Sequence, residues 1–332
     1  MHELRSAGAT AEHAWTVEEN CPIPYWRGEP LEGKTILLYG ELGLGDEILS
    51  LRFAKPVKDM GARVIISARP SIVRLASSLA SADAVIPQYG PASYDYVEVL
   101  QYDPPPWKPD YVCAQLTVPM FAAAGLACTW PADSPTSLPV GMDAETLPCR
   151  DKYLRAEDRN FGMRLPEGLN VGICWATGKS NVEFAGRKSL SLRQLAPLAR
   201  DGVNLVSLQQ MHDDHAELRA LGVIDIMPGM ADFADTARII DRLDLVVTVD
   251  TAVAHLAGAL GKPVWNLVRF DAVWPWFWET DATCWYDSMT LYRQSRENDW
   301  EEPLNRMFAD FDRWLSSHGG SAECGRAEEA AN

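Results

Sequence analysis

Three short stretches of this sequence combine residue types and spacings that could do chemistry. In GELGLGDEIL, Gly43 and Gly45 lead into Asp46 where an apolar run turns into a helix. A carboxylate there lies at the positive end of a helix, which keeps it ionised. It also lies at a strand C-terminus, where open α/β sheets hold their ligands. Such an aspartate could serve as a general base. The competing reading is an acid that simply complements the helix dipole. The turn is a poor dinucleotide fingerprint: Ile48 stands where G-x-G-x-x-G needs its third glycine, and Asp46 would oppose an incoming pyrophosphate.

The second stretch, residues 177–200, sets Lys179, Arg187, Lys188, Arg193 and Arg200 against a single acid, Glu183. The whole chain has a net charge of −16, so this local reversal stands out. Thr177, Lys179, Lys188 and Ser189 could hold a diphosphate by charge and hydrogen bonds. A solvated loop with surface cations is the alternative. The third stretch is LDLVVTVDTAVAHLAGALGKP. Leu245 to Val249 reads as a strand buried on both faces, with Asp250 and Thr251 as N-cap candidates for a helix through AVAHLAGAL. Free N–H groups and the dipole at such a helix start can seat a phosphate; an ordinary βα unit without a ligand has the same pattern.

Other candidates carry less chemistry. His255 sits among apolar neighbours early in that helix and reads first as a packed side chain. No second His or Cys lies at ligand spacing from it, so neither a structural nor a catalytic zinc is expected, and no metal or cofactor. Asp213, Asp214 and His215 read as a charged surface loop. Trp265, Trp274, Trp276, Trp278 and Trp285 crowd one region and read mostly as packing at a domain interface, although aromatic faces can also stack on a sugar or base.

The elements that must position these residues form two α/β series. In the first, strands are expected at Ile36–Tyr39, Arg63–Ala68, Ala84–Pro87 and Tyr94–Leu100, with helices after the GLGD turn, from Pro70 to Leu79 and from Gln115 to Ala124. A Pro/Ser-rich linker follows from Trp130 to Pro148. The second has strands at Val171–Trp175, Leu205–Leu208, Asp225–Met227, Leu245–Val249 and Val264–Val268. Its helices are expected at Ser191–Ala199, Asp232–Leu243, after Asp250, and Asn305–Leu315. This divides the chain into a lead-in (1–33), an N-terminal domain (34–148), a C-terminal domain (149–316) and a disordered polar tail (317–332). Two Rossmann-like domains facing a cleft is the economical architecture. The acidic balance argues against nucleic acid or an anionic membrane surface as the main partner. Seven scattered cysteines without CxxC favour reduced thiols and a cytoplasmic location. No run is long enough to span a membrane.

The order strand–GLGD–helix, then a Thr/Lys loop, then VDTAVAHLAGALGKPV resembles glycosyltransferase family 9, the ADP-heptose heptosyltransferases of lipopolysaccharide synthesis. WRGEPLEGKTILLYGELGLGDEILSLRFA, ADFADTARIIDRLDLVVTVDTAVAHLAGALGKPVW and WYDSMTLYRQ look closer still to the family-9-like module found behind tetratricopeptide repeats in bacterial proteins. The resemblance runs from about Trp26 to Leu315. It implies a GT-B fold, with acceptor on the N-terminal domain and a nucleotide-diphosphate sugar on the C-terminal one, and inverting transfer without a metal. Asp46 matches the proposed base, and Gly43 and Gly45 its acceptor-side turn. Thr177 and Lys188 match donor-phosphate contacts. Asp250, Thr251 and Ala252 match the D-[ST]-G turn, and His255 the motif histidine.

The chain departs from that pattern at Ala252, where the family has glycine. It also has Val273-Trp274-Pro275-Trp276 where relatives read DWRW, and TDATCWY from Thr280 where they read R-x-D-S-P-W-Y, so two arginines are missing. The expected function is therefore a metal-independent glycosyltransferase acting on a glycan or protein acceptor, with peripheral contact to the inner membrane left open. Two other classes remain: a degenerate, non-catalytic transferase-like scaffold, and a sugar-nucleotide epimerase of the two-Rossmann type.

Overall fold

The computed structural model describes residues 23–40, 42–88, 109–118, 147–157, 164–178, 186–272, 275–276 and 281–318. It divides into two compact units, Met1–Arg155 with Asp232–Ala234, and Ala156–Ala231 with Asp235–Asn332. The expected strand Tyr94–Leu100 and nearly all of the expected linker Trp130–Pro148 lie outside the described residues.

The first unit is a parallel sheet of β1 (Thr35–Tyr39), β2 (Arg63–Ala68), β3 (Ala84–Pro87) and β4 (Tyr111–Ala114), in the order β3-β2-β1-β4. Ile36, Leu37 and Leu38 have no solvent exposure, as an apolar run covered on both faces must. β1 leads into α1 (Leu44–Ser50), a 3₁₀ turn at Leu51–Phe53, and α2 (Ala54–Asp59); α3 (Val73–Ala76) follows β2. The Pro70–Leu79 helix expected from sequence is thus reduced to one turn. Residues 23–33 pack onto the sheet: Ile23, Trp26 and Leu31 are buried, and the Trp26 N–H donates to Val112 O at 2.9 Å. Strand order reverses between β1 and β4, so the GLGD turn leaves the sheet where neighbouring connections part and open a crevice.

The second unit is a six-stranded parallel sheet in the order β10-β9-β8-β5-β6-β7. Its strands are β5 (Leu169–Cys174), β6 (Val203–Ser207), β7 (Ile224–Asp225), β8 (Leu245–Val249), β9 (Val264–Val268) and β10 (Met289–Arg293). The helices are α4 (His215–Ala220), α5 (Phe233–Ile240), α6 (Ala252–Ala259) and α7 (Glu301–His318). Asp232 caps α5, accepting from Ala234 N at 2.9 Å. The stretch expected as a helix from Ser191 is 3₁₀ over Leu192–Leu198, with Pro197 inside it. Proline removes an N–H donor, which suits the tighter, shorter coil. β5 and β8 are neighbours although the chain visits β6 and β7 between them, so the reversal point lies between the ends of β5 and β8.

Three elements are unexpected. β4 and β10 lie in stretches assigned to no strand, and α4 begins inside the run read as a charged surface loop. Trp265 is not at an interface: it lies in β9, packed on Tyr292 and Phe311 in the core of its own unit. Among the described residues no helix is long and apolar enough to cross a membrane.

α6 is set close against the segment that follows β9. A Cβ on Gly258 would lie 2.5 Å from the Tyr286 ring, so only glycine fits there. Alanine for glycine inside a helix ordinarily stabilises by about 1 kcal/mol. Here overpacking dominates, and Gly258→Ala should cost about 1–3 kcal/mol, read as a lower denaturation midpoint in urea.

Candidate functional site

In the second unit the reversal point gathers the second and third stretches. Asp250 ends β8 and Thr251 caps α6, its Oγ1 accepting from Val253 N at 3.2 Å. Lys188 Nζ donates to Asp250 Oδ2 at 2.7 Å, and Trp276 Nε1 donates to Asp250 Oδ1 at 2.7 Å. Ser189 Oγ accepts from Thr177 N at 3.1 Å and Leu190 N donates to Trp175 O at 2.7 Å, which closes the basic loop back onto the end of β5. Thr177, Lys188, Ser189, Asp250, Thr251 and Ala252 therefore share one corner of the sheet. Lys179 lies outside the described residues.

The basic stretch does not act as a patch. Arg187 pairs with Asp271 at 2.8 Å, Arg193 with Glu217 at 3.2 Å and Arg200 with Asp312 at 3.8 Å. Lys188 alone of the described cations in this stretch is turned to the start of α6. Asp250 is only 13% exposed. Burial works to raise its carboxyl, but the Lys188 ammonium, with His255 and the Trp276 N–H, outweighs burial and holds it below its ordinary value.

His255 is buried, with Nδ1 3.0 Å from the Tyr286 hydroxyl and its ring stacked on Trp276 at 5.0 Å. The expectation of a packed, satisfied histidine fits this setting. Trp276 and Tyr286 were not singled out as site residues. The only hint was their place in an aromatic-rich run, which does not say which rings face Asp250 and His255. Trp274 and Trp278 lie outside the described residues. Cys174, at the end of β5, has Sγ 3.9 Å from Thr251 Oγ1, and burial pushes its thiol up to about 11. Asp214, read as surface, accepts from Trp175 Nε1 at 2.9 Å.

In the first unit Asp46 sits in the first turn of α1, half exposed, and its Oδ2 accepts from Gly43 N at 3.0 Å. Gly43 is thus the N-cap and Gly45 lies within the helix. Leu42 just before them is exposed and has φ +59°, an uncommon backbone for a branched side chain. The Arg69 guanidinium bonds its carbonyl. The next acid, Glu47, points the other way. It is fully buried, accepting from Arg69 N at 3.0 Å and lying 3.2 Å from Arg69 Nε. Burial pushes its carboxyl up, partly countered by the Arg69 N–H and guanidinium. A Cβ on Gly40 would fall 2.5 Å from Glu47 Cδ, so that glycine makes room for this carboxylate.

The two buried acids act on stability with opposite sign. Asp250 has a lowered folded value, so its contribution is present above its ordinary 3.8 and is lost as pH falls through the folded value. Asp250→Asn should cost about 3 kcal/mol at pH 7 by leaving Lys188 unpaired and should remove this acid-limb dependence. Glu47 has a raised value, so stability falls as pH rises from its ordinary 4.5 through the folded value. Glu47→Gln should flatten that decline. Thermal midpoints between pH 3 and 9 (about two ionisation ranges on either side) check both.

The sequence model of glycosyltransferase family 9 (heptosyltransferase) matches residues 210–269, which contain Asp250, Thr251, Ala252 and His255. Protein FlbA of Caulobacter vibrioides is 26% identical over 327 residues, covering 85% of this chain and 47% of that protein. The chain therefore spans about half the length of this curated relative. Among solved structures, the family 9 glycosyltransferase from Veillonella parvula superposes with a TM-score of 0.58 at 13% identity, covering 80% of this chain and 88% of the other. The E. coli ADP-heptose lipopolysaccharide heptosyltransferase II gives 0.56 at 15% identity, covering 85% and 99%. The resemblance to glycosyltransferase family 9 is borne out: the chain has the GT-B fold of these enzymes, and its residues 210–269 bear the family's sequence pattern.

Proposed function

We propose that this chain is a family-9-type glycosyltransferase module that moves a sugar from a nucleotide-diphosphate sugar to a hydroxyl of a glycan or protein, with inversion and with no metal taking part in the transfer. One observation carries the reading: the Lys188 ammonium is held by Asp250 beside the start of α6. A helix N-terminus with a cation next to it suits a diphosphate. Lys188 has three donors, so it can bond Asp250 and a phosphate oxygen together.

In the proposed reaction Asp46 takes the proton of the acceptor hydroxyl. The acceptor oxygen attacks the anomeric carbon on the face opposite the diphosphate. The bond from that carbon to the diphosphate breaks, and its electron pair leaves on the diphosphate. Lys188, Thr177, Ser189, Lys179 and the helix start at Thr251 and Ala252 stabilise the charge that develops there. His255, fixed by Trp276 and Tyr286, shapes the wall beside the donor sugar.

A second reading, a degenerate, non-catalytic transferase-like scaffold with weak or no nucleotide binding, is favoured by Ala252. Its methyl group stands at the first residue of α6, where a bound phosphate would come closest.

A thermal-shift screen against ADP, UDP, GDP, CDP and dTDP separates the two. At about 100 times its dissociation constant a ligand adds roughly 2.7 kcal/mol of stability. One nucleotide should raise the midpoint, equally with and without chelator, and Lys188→Ala should abolish the shift. Asp46→Asn should keep that shift yet lose transfer by about 10²-fold or more, measured as sugar released to an acceptor. Silence from all five nucleotides supports the scaffold.

A further inference from the structure

By sequence His215 lies in a charged surface run, where no metal is expected. The structure brings His215 together with His212 and Asp225: one potential ligand atom from each lies within 4.8 Å of the others. The three come from different elements. His212 is in the loop after β6, His215 opens α4, and Asp225 ends the edge strand β7. The H-x-x-H spacing of His212 and His215 is legible in the sequence, but its partner ten residues on is not.

The spacing within the cluster is that of shared ligands. The His212 side chain is only 6% exposed, and its Nε2 faces Asp225 Oδ2 at 3.4 Å. Its Nδ1 and the other carboxylate oxygen, Asp225 Oδ1, are both buried and have no hydrogen-bond partner among the described residues. A charge-assisted hydrogen bond would draw the two groups to about 2.7–2.9 Å. A tetrahedral ion with ligands at about 2.0–2.2 Å instead sets neighbouring donor atoms about 3.3–3.6 Å apart. The observed 3.4 Å falls within that range. His215 is exposed and can turn in to supply a third donor.

We propose that His212, His215 and Asp225 bind one divalent transition-metal ion of the zinc class. Two imidazole nitrogens and one carboxylate oxygen suit zinc, cobalt or nickel better than magnesium or calcium. Three protein ligands leave a position for water. The ion fastens the start of α4 and the end of β7 to the loop after β6. That loop continues into Asp214, which holds the Trp175 indole at the end of β5. The metal is thus a clip at the sheet edge, separate from the Asp250 carboxylate and from the transfer step.

The test uses the full chain without a polyhistidine tag, stripped with chelator and titrated with Co²⁺ and Zn²⁺, with Mg²⁺ as the control. Elemental analysis after dialysis should find one Zn²⁺ per chain. The Co²⁺ form should show visible bands without a thiolate charge-transfer band. His215→Ala should weaken binding at least about tenfold, while the metal-free thermal midpoint stays at the parent value, because His215 is exposed. Asp225→Asn should weaken binding similarly. Three results would each overturn the proposal: no uptake by the parent chain, a Co²⁺ thiolate band, or unchanged affinity in His215→Ala. The readout is independent of transferase activity, so a chain that binds no nucleotide can still pass it.

Discussion

The buried carboxylate of Asp250 is the interaction on which the second unit's corner depends. Both of its oxygens are engaged, one by the Lys188 ammonium and one by the Trp276 indole. Each partner is itself tied down. The residue after Lys188 closes onto Thr177, and the Trp276 carbonyl accepts from Arg293 at 2.6 Å. One charge thereby joins the ends of β5, β8 and β10 and the segment after β9. Such a charge is tolerable in the interior only while it stays paired. That requirement makes the corner a preorganised unit rather than a set of loops that happen to meet.

Adjacent acids in the first unit show how burial divides labour between identical chemistries. Asp46 and Glu47 are neighbours on one helical turn, yet one reaches solvent and the other is enclosed between Gly40 and Arg69, just past the ends of β1 and β2. An enclosed carboxylate with a raised proton affinity makes a brace for the turn. The half-exposed one accepts from the Gly43 N–H and still reaches solvent.

Much of this was legible because the strands are buried on both faces. Continuous apolar runs marked β1, β2, β3, β8 and β9 to within a residue, and their C-terminal ends located the GLGD turn and the Asp250 corner. β4 and β10 were missed for a shared reason. YVCA and MTLYR are short and mix polar with apolar residues, and they become strands only because a finished neighbour offers a ladder. Residue types along one stretch also could not reveal pairings across the fold. The run of cations at 177–200 looked like one patch until Arg187, Arg193 and Arg200 were found with acids from distant segments. Trp276 and Tyr286 carried no local mark, since their roles exist only relative to Asp250 and His255.

The bare Cα of Gly258 has one more effect. Because the Tyr286 ring packs against that spot and also reaches His255 one turn earlier on α6, the helix is gripped at two points on one side. A cylinder held this way cannot roll about its own axis. The direction in which the amides of its first turn point is therefore set by the one aromatic ring that meets both His255 and Gly258, before any ligand arrives.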